Sequence, residues 1–220
     1  MQLSTIVVTR NKSVHVRTLH TLMRLNMTCM ENNIQQDISF VKDDPFEKRD
    51  LILQKLKSGN IDKILFIDYS IQIDNESISK IFTNPEGKYN CLVFPCVKEG
   101  INWEQFKTSI KNKTDEPIEQ CGLGFDTSVG MKITDEIYKV IETTPKCWVL
   151  ESKSTLKLLK TGKKNGESIT LPVQNNEMFQ KFKQKNIKIA AFVDANIQCV
   201  FSHECLGNIM NAAGVSQKTD

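Results

Sequence analysis

The chain predicts an α/β fold in one domain, with a central, mainly parallel sheet and helices on both faces. Three observations carry this. In the first half, short apolar runs alternate with stretches of helical period, the order of strands joined by crossover helices. One run, Lys63-Ile-Leu-Phe-Ile67, has no polar alternation and suits a strand buried on both faces. The length, 220 residues, fits a single domain with a substantial core.

Leu3–Thr9 opens the chain as a strand. A helix comes next, from about Ser13 to Leu25, in which Val16, Leu19, Leu22 or Met23, and Met27 recur at helical spacing as one apolar stripe. Ile38–Val41 is a short second strand. Asp44-Pro45-Phe46-Glu47 then supplies an N-cap, a proline at the first helical position and an acid three residues after the cap. That helix runs to about Lys57, where Ser58-Gly59 closes it. Ile64–Ile67 is the central strand, Ser77–Phe82 a short helix and Cys91–Pro95 the next strand.

The second half is less regular. Lys111–Gln120 reads as a polar loop or hairpin, and Gly122-Leu-Gly-Phe-Asp126 as a short connection that lacks the context of a nucleotide fingerprint. Asp135–Glu142 reads as helix, Lys146–Leu150 as extended, Lys153–Lys160 as helix and Gly162–Gly166 as a turn. Glu177–Lys185 is a further helix, and Ile187–Phe192 and Ile197–Phe201 are strands. Residues 1–213 form the expected domain, and 214–220 a small polar tail expected to fray.

Composition removes several function classes. Lys and Arg exceed Asp and Glu by three, interspersed along the chain, too weak a bias for a nucleic-acid partner. No run of 18 apolar residues exists, so no transmembrane segment is expected. The N-terminus lacks the pattern of a secretory signal. Seven cysteines without a tight pattern read as small buried hydrophobes in a reducing compartment, with the cytoplasm as default (the host's, were the chain viral). Cys199, Cys205 and the methionines read as core filling. His15 and His20, five apart on a helix, do not make a metal pair.

Asp68 is the residue with most chemistry. It ends the buried strand, where ligands of α/β sheets usually bind, and a carboxylate there can hold a divalent metal that bridges phosphate oxygens. The plain alternative is an Asp that stops the strand and caps the turn beyond it.

Four stretches in order resemble the nucleotide-sugar glycosyltransferases of the GT-A fold: Ser4–Arg10; Arg49 within Glu-Lys-Arg-Asp-Leu-Ile-Leu; Leu65-Phe-Ile-Asp68 and onward through Phe94-Pro95 to Trp103; and Asn175-Asn-Glu-Met-Phe179 with the strands up to Phe201-Ser-His203. The likeness spans roughly Leu3 to Ile209 and is nearest to the small single-domain members of large DNA viruses and some microbes. It implies a nucleotide-diphosphate sugar as donor, a glycan or protein acceptor, and Mn2+ or Mg2+ at the diphosphate. Asp68 matches the first acid of the Asp-x-Asp motif, His203 the histidine that completes the metal site, and Arg49 a phosphate-binding cation. Thr9 and Arg10 fall where the family seats base and ribose. Trp103 could stack on an acceptor sugar.

Two departures stand out. The second acid of the motif is Ser70, a weak metal ligand, with water or Asp74 as the available compensation. The acid pair before the late helix is Asn175-Asn176, and neither amide is a general base, which leaves Glu177 as candidate. The rivals are a catalytically degenerate domain that binds glycan or protein, and a nucleotidyltransferase. The latter class usually carries a glycine-rich phosphate loop, which Thr9-Arg-Asn-Lys-Ser13 lacks.

Overall fold

A computed structural model describes residues 1–83, 87–113, 115, 121–161 and 168–199. The strands are β1 (Gln2–Thr9), β2 (Gln35–Lys42), β3 (Lys63–Ile67), β4 (Ile71–Ile73), β5 (Cys91–Val93), β6 (Thr127–Lys132), β7 (Ile137–Thr143), β8 (Cys147–Glu151), β9 (Ile189–Phe192) and β10 (Ile197–Cys199). The helices are α1 (Val16–Glu31), α2 (Pro45–Lys57), α3 (Asn75–Phe82), α4 (Trp103–Lys111), α5 (Ser152–Lys160) and α6 (Asn175–Gln184).

Eight strands form one sheet in the order β2-β1-β3-β8-β5-β9-β7-β6, and β4 and β10 form a separate antiparallel pair. Following the pairings across the sheet, six of the eight strands run one way, and β7 and β8 run against them. The sheet is therefore mainly parallel, as the sequence predicts, but β8 is inserted antiparallel at its centre.

Alternation along β3 shows why this strand has no polar face. Ile64 and Phe66 enter one core, with Ile52 and Leu56 of α2, Leu159 of α5 and Phe179 and Phe182 of α6. Leu65 and Ile67 enter the other, with Leu22 and Leu25 of α1 and Ile78 and Ile81 of α3. Helices thus cover both faces. Trp148 of β8 anchors the first core, stacked on Phe66 at 5.2 Å and edge-on to Phe179 at 5.8 Å.

The start of α2 obeys its sequence signature, with the Asp44 carboxylate accepting the Glu47 N–H at 2.9 Å. Asp74 does the same for α3, through the Ser77 N–H at 3.3 Å. No helix among the described residues is long and apolar enough to cross a membrane.

Several expectations are corrected. Helix α1 runs past Leu25 to Glu31, and it buries Thr18, Thr21, Leu22, Leu25 and Cys29. Val16, Leu19, Met23 and Met27 face outward instead, so helical spacing identifies a stripe but not the core face. Thr18 and Thr21 can turn inward because their hydroxyls meet β4: Thr18 donates to the Ile71 carbonyl at 3.0 Å, and Thr21 accepts the Ile73 N–H at 3.0 Å. Residues 135–142 are not helical. Ile137–Thr143 is strand β7, hairpinned to β6, and the β-branched Ile137, Val140, Ile141 and Thr143 suit a pleated surface. The register of that hairpin is irregular, which breaks the strict alternation that would mark a strand in sequence. Helix α4 occupies a stretch without a sequence-based assignment. The turn at 162–166, the tail and Cys205 lie outside the described residues.

Candidate functional site

The register of the sheet builds the site. Ile67 of β3 pairs with Cys147 of the antiparallel β8, so the next residues outward, Asp68 and Lys146, stand side by side. The Asp68 N–H donates to the Lys146 carbonyl at 2.9 Å. On its other side the Lys146 N–H donates to the Asp126 carboxylate at 3.2 Å. Asp126, itself buried, also accepts the Cys96 N–H at 3.0 Å and the Thr127 hydroxyl at 2.8 Å. Burial pushes its carboxyl above the usual range, against these three donors and the Lys146 charge. Sequence reasoning missed both Asp126 and Lys146, and only the strand register brings them to this edge.

Asp68 lies between two cavities. The first, about 120 Å3, is lined on its polar side by Lys48, Arg49, Asp68 and Asn175, and on its apolar side by residues including Phe66 and Trp148. The indole Nε1 of Trp148, which lines this cavity, is buried with no acceptor among the described residues. The second cavity, about 50 Å3, is lined by Arg10, Asp68, Tyr69, Ser70, Glu99, Lys146 and Cys199. Burial raises the Asp68 carboxyl above its ordinary range, opposed by the Tyr69 N–H, which donates to Oδ1 at 2.7 Å, and by the charge of Lys48.

The surrounding cations are held in place. Arg10 pairs with Asp43 at 2.7 Å, and its guanidinium lies 5.1 Å from the centre of the Tyr69 ring. Lys48 pairs with the other oxygen of Asp43 at 2.8 Å. Arg49 pairs with Asp50 at 2.8 Å and packs over Phe46. Lys146 Nζ donates to the Cys199 sulfur at 3.7 Å, and the Ser70 hydroxyl meets the same sulfur at 3.9 Å. Hydrogen bonding with Cys96, and the Lys146 charge, hold the Cys199 thiol below its usual range. Cys199 thus lines this cavity while also packing against the core that holds Leu65 and Ile67.

The remaining candidates are placed differently. Thr9 ends β1, but its hydroxyl is tied to the Val41 carbonyl at 3.0 Å. Ser70 is buried, with a left-handed φ of 63°. Asp74 is committed to capping α3. Asn175, at the start of α6, lines the first cavity and donates to the Pro145 carbonyl at 3.0 Å. Asn176 lines a different, smaller hollow with Glu142 and Thr143. Glu177 is exposed in the first turn of α6 and is not among the residues lining either cavity at Asp68. Trp103 opens α4, half exposed and edge-on to Phe106 at 5.8 Å. His203 lies outside the described residues.

A larger cleft, about 630 Å3, lies among Lys88, Tyr89, Lys139, Lys183 and Lys188. It adjoins the N-terminal ends of β5 and β9, the edge opposite Asp68, whereas open α/β sheets bind ligands beyond the carboxyl ends of their strands. Size alone does not make it the site.

The resemblance implies a divalent metal, and the donors among the described residues fit one poorly. The motif's second acid is a hydroxyl turned to sulfur, and the two carboxylates of the cavity, Asp68 and Glu99, share it with the Lys146 ammonium and the Arg10 guanidinium. Among the described residues no three of His, Cys, Asp and Glu converge as ligands.

No family profile matches the chain, and no curated protein matches it in sequence. Solved structures match in fold. The A197 protein from STIV superposes with a TM-score of 0.53 at 11% identity, over 92% of this chain and 87% of that one. A putative glucose-1-phosphate thymidylyltransferase from Bacillus anthracis, solved in complex with a sucrose, gives 0.50 at 9% identity, over 100% and 98%. GalNAc-T7, solved with UDP, GalNAc and Mn2+, gives 0.50 at 11% identity, over 91% of this chain and 44% of that one. At such identities the likeness shows the fold, which is that of GT-A-like nucleotide-sugar transferases.

Proposed function

We propose that the chain binds a nucleotide-diphosphate sugar at Asp68 and transfers the sugar to a hydroxyl acceptor, a glycan or a glycosylated protein. The observation that carries this reading is the ring of held cations around one carboxylate at the carboxyl edge of the sheet. Arg10, Lys48, Arg49 and Lys146 line the two cavities that meet at Asp68, three of them held by Asp43 and Asp50, with Glu99 as the other acid in the lining. Cationic donors at fixed positions suit a diphosphate, whose charge grows as the bond to the sugar breaks.

In this reading the nucleotide lies toward Arg10 and Tyr69, beyond Thr9, and the diphosphate crosses Asp68. The sugar and acceptor occupy the cavity floored by Phe66 and Trp148. Donors already fixed by Asp43 and Asp126 need little rearrangement when charge develops. Glu177 is the base candidate for the acceptor hydroxyl. Its carboxylate must come within about 2.6–3.2 Å of that hydroxyl, directly or through one water.

One observation favours a second reading, a domain that binds a sugar nucleotide or glycan without turnover. The polar residue of α6 that lines the cavity is Asn175, whose amide cannot take a proton. The nucleotidyltransferase reading is less well supported. The connection after β1 is a tight Arg10–Ser13 turn, with Ser13 N–H donating to the Arg10 carbonyl at 2.9 Å, and it lacks the glycines usual in a phosphate loop.

A thermal-shift panel of UDP, GDP, CMP and their sugar conjugates tests the proposal. A ligand at 100 times its dissociation constant stabilises by about 2.7 kcal/mol. One nucleotide should raise the melting temperature of the wild type and not that of a folded Asp68→Ala variant. Equal shifts in both would place the site elsewhere.

A further inference from the structure

We infer that this chain neutralises the diphosphate of its donor with fixed cations, Lys146 foremost, and needs no divalent metal to bind it. The inference rests on the donor-site reading and concerns how that site handles charge.

Antiparallel β8 delivers Lys146 to the carboxyl edge of β3, and both of its backbone polar groups are engaged, the N–H by Asp126 and the carbonyl by the Asp68 N–H. The side chain then emerges from a clamped backbone into the cavity that also holds Asp68, Ser70 and Arg10. Its Nζ donates to the Cys199 sulfur, and a phosphate oxygen entering the cavity offers that ammonium a charge-assisted bond.

Charge points the same way as position. A metal shared between an acidic motif and a diphosphate needs carboxylates to offset it. Here the position for the second carboxylate is Ser70, buried and facing sulfur; Glu99 is the cavity's other acid, and a divalent ion beside Asp68 would share that small cavity with the Lys146 ammonium and the Arg10 guanidinium. Like charges at that range repel, and the repulsion is strong where water is scarce. Arg10 and Lys48, each fixed by Asp43, extend the same positive field along both sides of Asp68. A diphosphate fits that field directly.

The test is calorimetric titration of UDP, GDP, CDP and ADP into the full chain, once in EDTA and once in MnCl2, with the wild type, Lys146→Gln and Lys146→Arg. The expected result is one nucleoside diphosphate bound with equal affinity in EDTA and Mn2+. Lys146→Gln should weaken it about tenfold or more, the scale of one charge-assisted contact, while binding of the matching nucleoside without phosphate stays unchanged. Lys146→Arg should retain most of the affinity. Binding that appears only with Mn2+ overturns the inference and leaves the donor site standing. Unchanged affinity in folded Lys146→Gln overturns the role of Lys146. No binding in either medium overturns the donor-site reading, and this inference with it.

Discussion

Asp126 organises the site from below, and its replacement by Asn isolates that role. The side chains are nearly the same shape, but one acceptor oxygen becomes an NH2 group. In the wild type Oδ1 takes the Cys96 N–H and the Thr127 hydroxyl, and Oδ2 takes the Lys146 N–H. The amide can keep one set only, so either the Cys96 or the Lys146 N–H then faces another donor. The loss of one hydrogen bond to a charged acceptor costs about 1.5–3 kcal/mol. Relief from burying a charge offsets part of it, because burial already strains this carboxyl, as its raised pKa shows. A net loss of about 2 kcal/mol is the expected balance, or about 4–8 °C in melting temperature for a chain of this size. Differential scanning calorimetry of wild type, Asp126→Asn and Asp126→Ala measures it, and the Ala variant, which strands both N–H groups, should be the less stable of the two. Melting temperatures within about 1 °C of wild type for both would refute the clamp.

Two further outcomes are expected. The Asp43 carboxyl is raised by burial but lowered more by the hydrogen bonds of Lys48 and Arg10, for a net depression below its ordinary range. Its contribution to stability is therefore complete above the unfolded value, about pH 4, and is lost as pH falls through the lower folded value. Asp43→Asn should accordingly flatten the acid limb of the stability curve in urea titrations, and an unchanged limb would contradict the pairing. For Glu177→Gln, sugar transfer should fall by about 10²–10⁴-fold, the usual contribution of a general base, with nucleotide binding intact. Unaltered turnover would remove Glu177 as the base.

Sequence reading reaches the parts of the fold where local chemistry and tertiary structure agree. The Asp44 cap of α2, the apolar run of β3 and Asp68 at its end all stand where expected. It fails where the partner element decides. The outward stripe of α1 and its inward Thr18 and Thr21 depend on hydroxyl contacts to β4, which no spacing rule encodes. Strand β7 has β-branched residues at spacings that also fit a helix, and only pairing with β6 and β9 settles it. Of the site, Asp68, Arg10 and Arg49 are legible as charged residues at strand ends or beside a cap. Lys146 and Asp126 are not, because their place depends on the antiparallel insertion of β8, a long-range register. The cation that lies beside Asp68 is therefore invisible until the sheet order is known.

The most direct measurement is hydrogen–deuterium exchange with and without the stabilising nucleotide. The account predicts slower exchange at the amides of Tyr69, Ser70, Lys146 and Cys147, around the cavities that meet at Asp68. Protection confined to residues 183–189 or 88–89, beside the larger lysine-lined cleft, would contradict it and move the binding site to the opposite edge of the sheet.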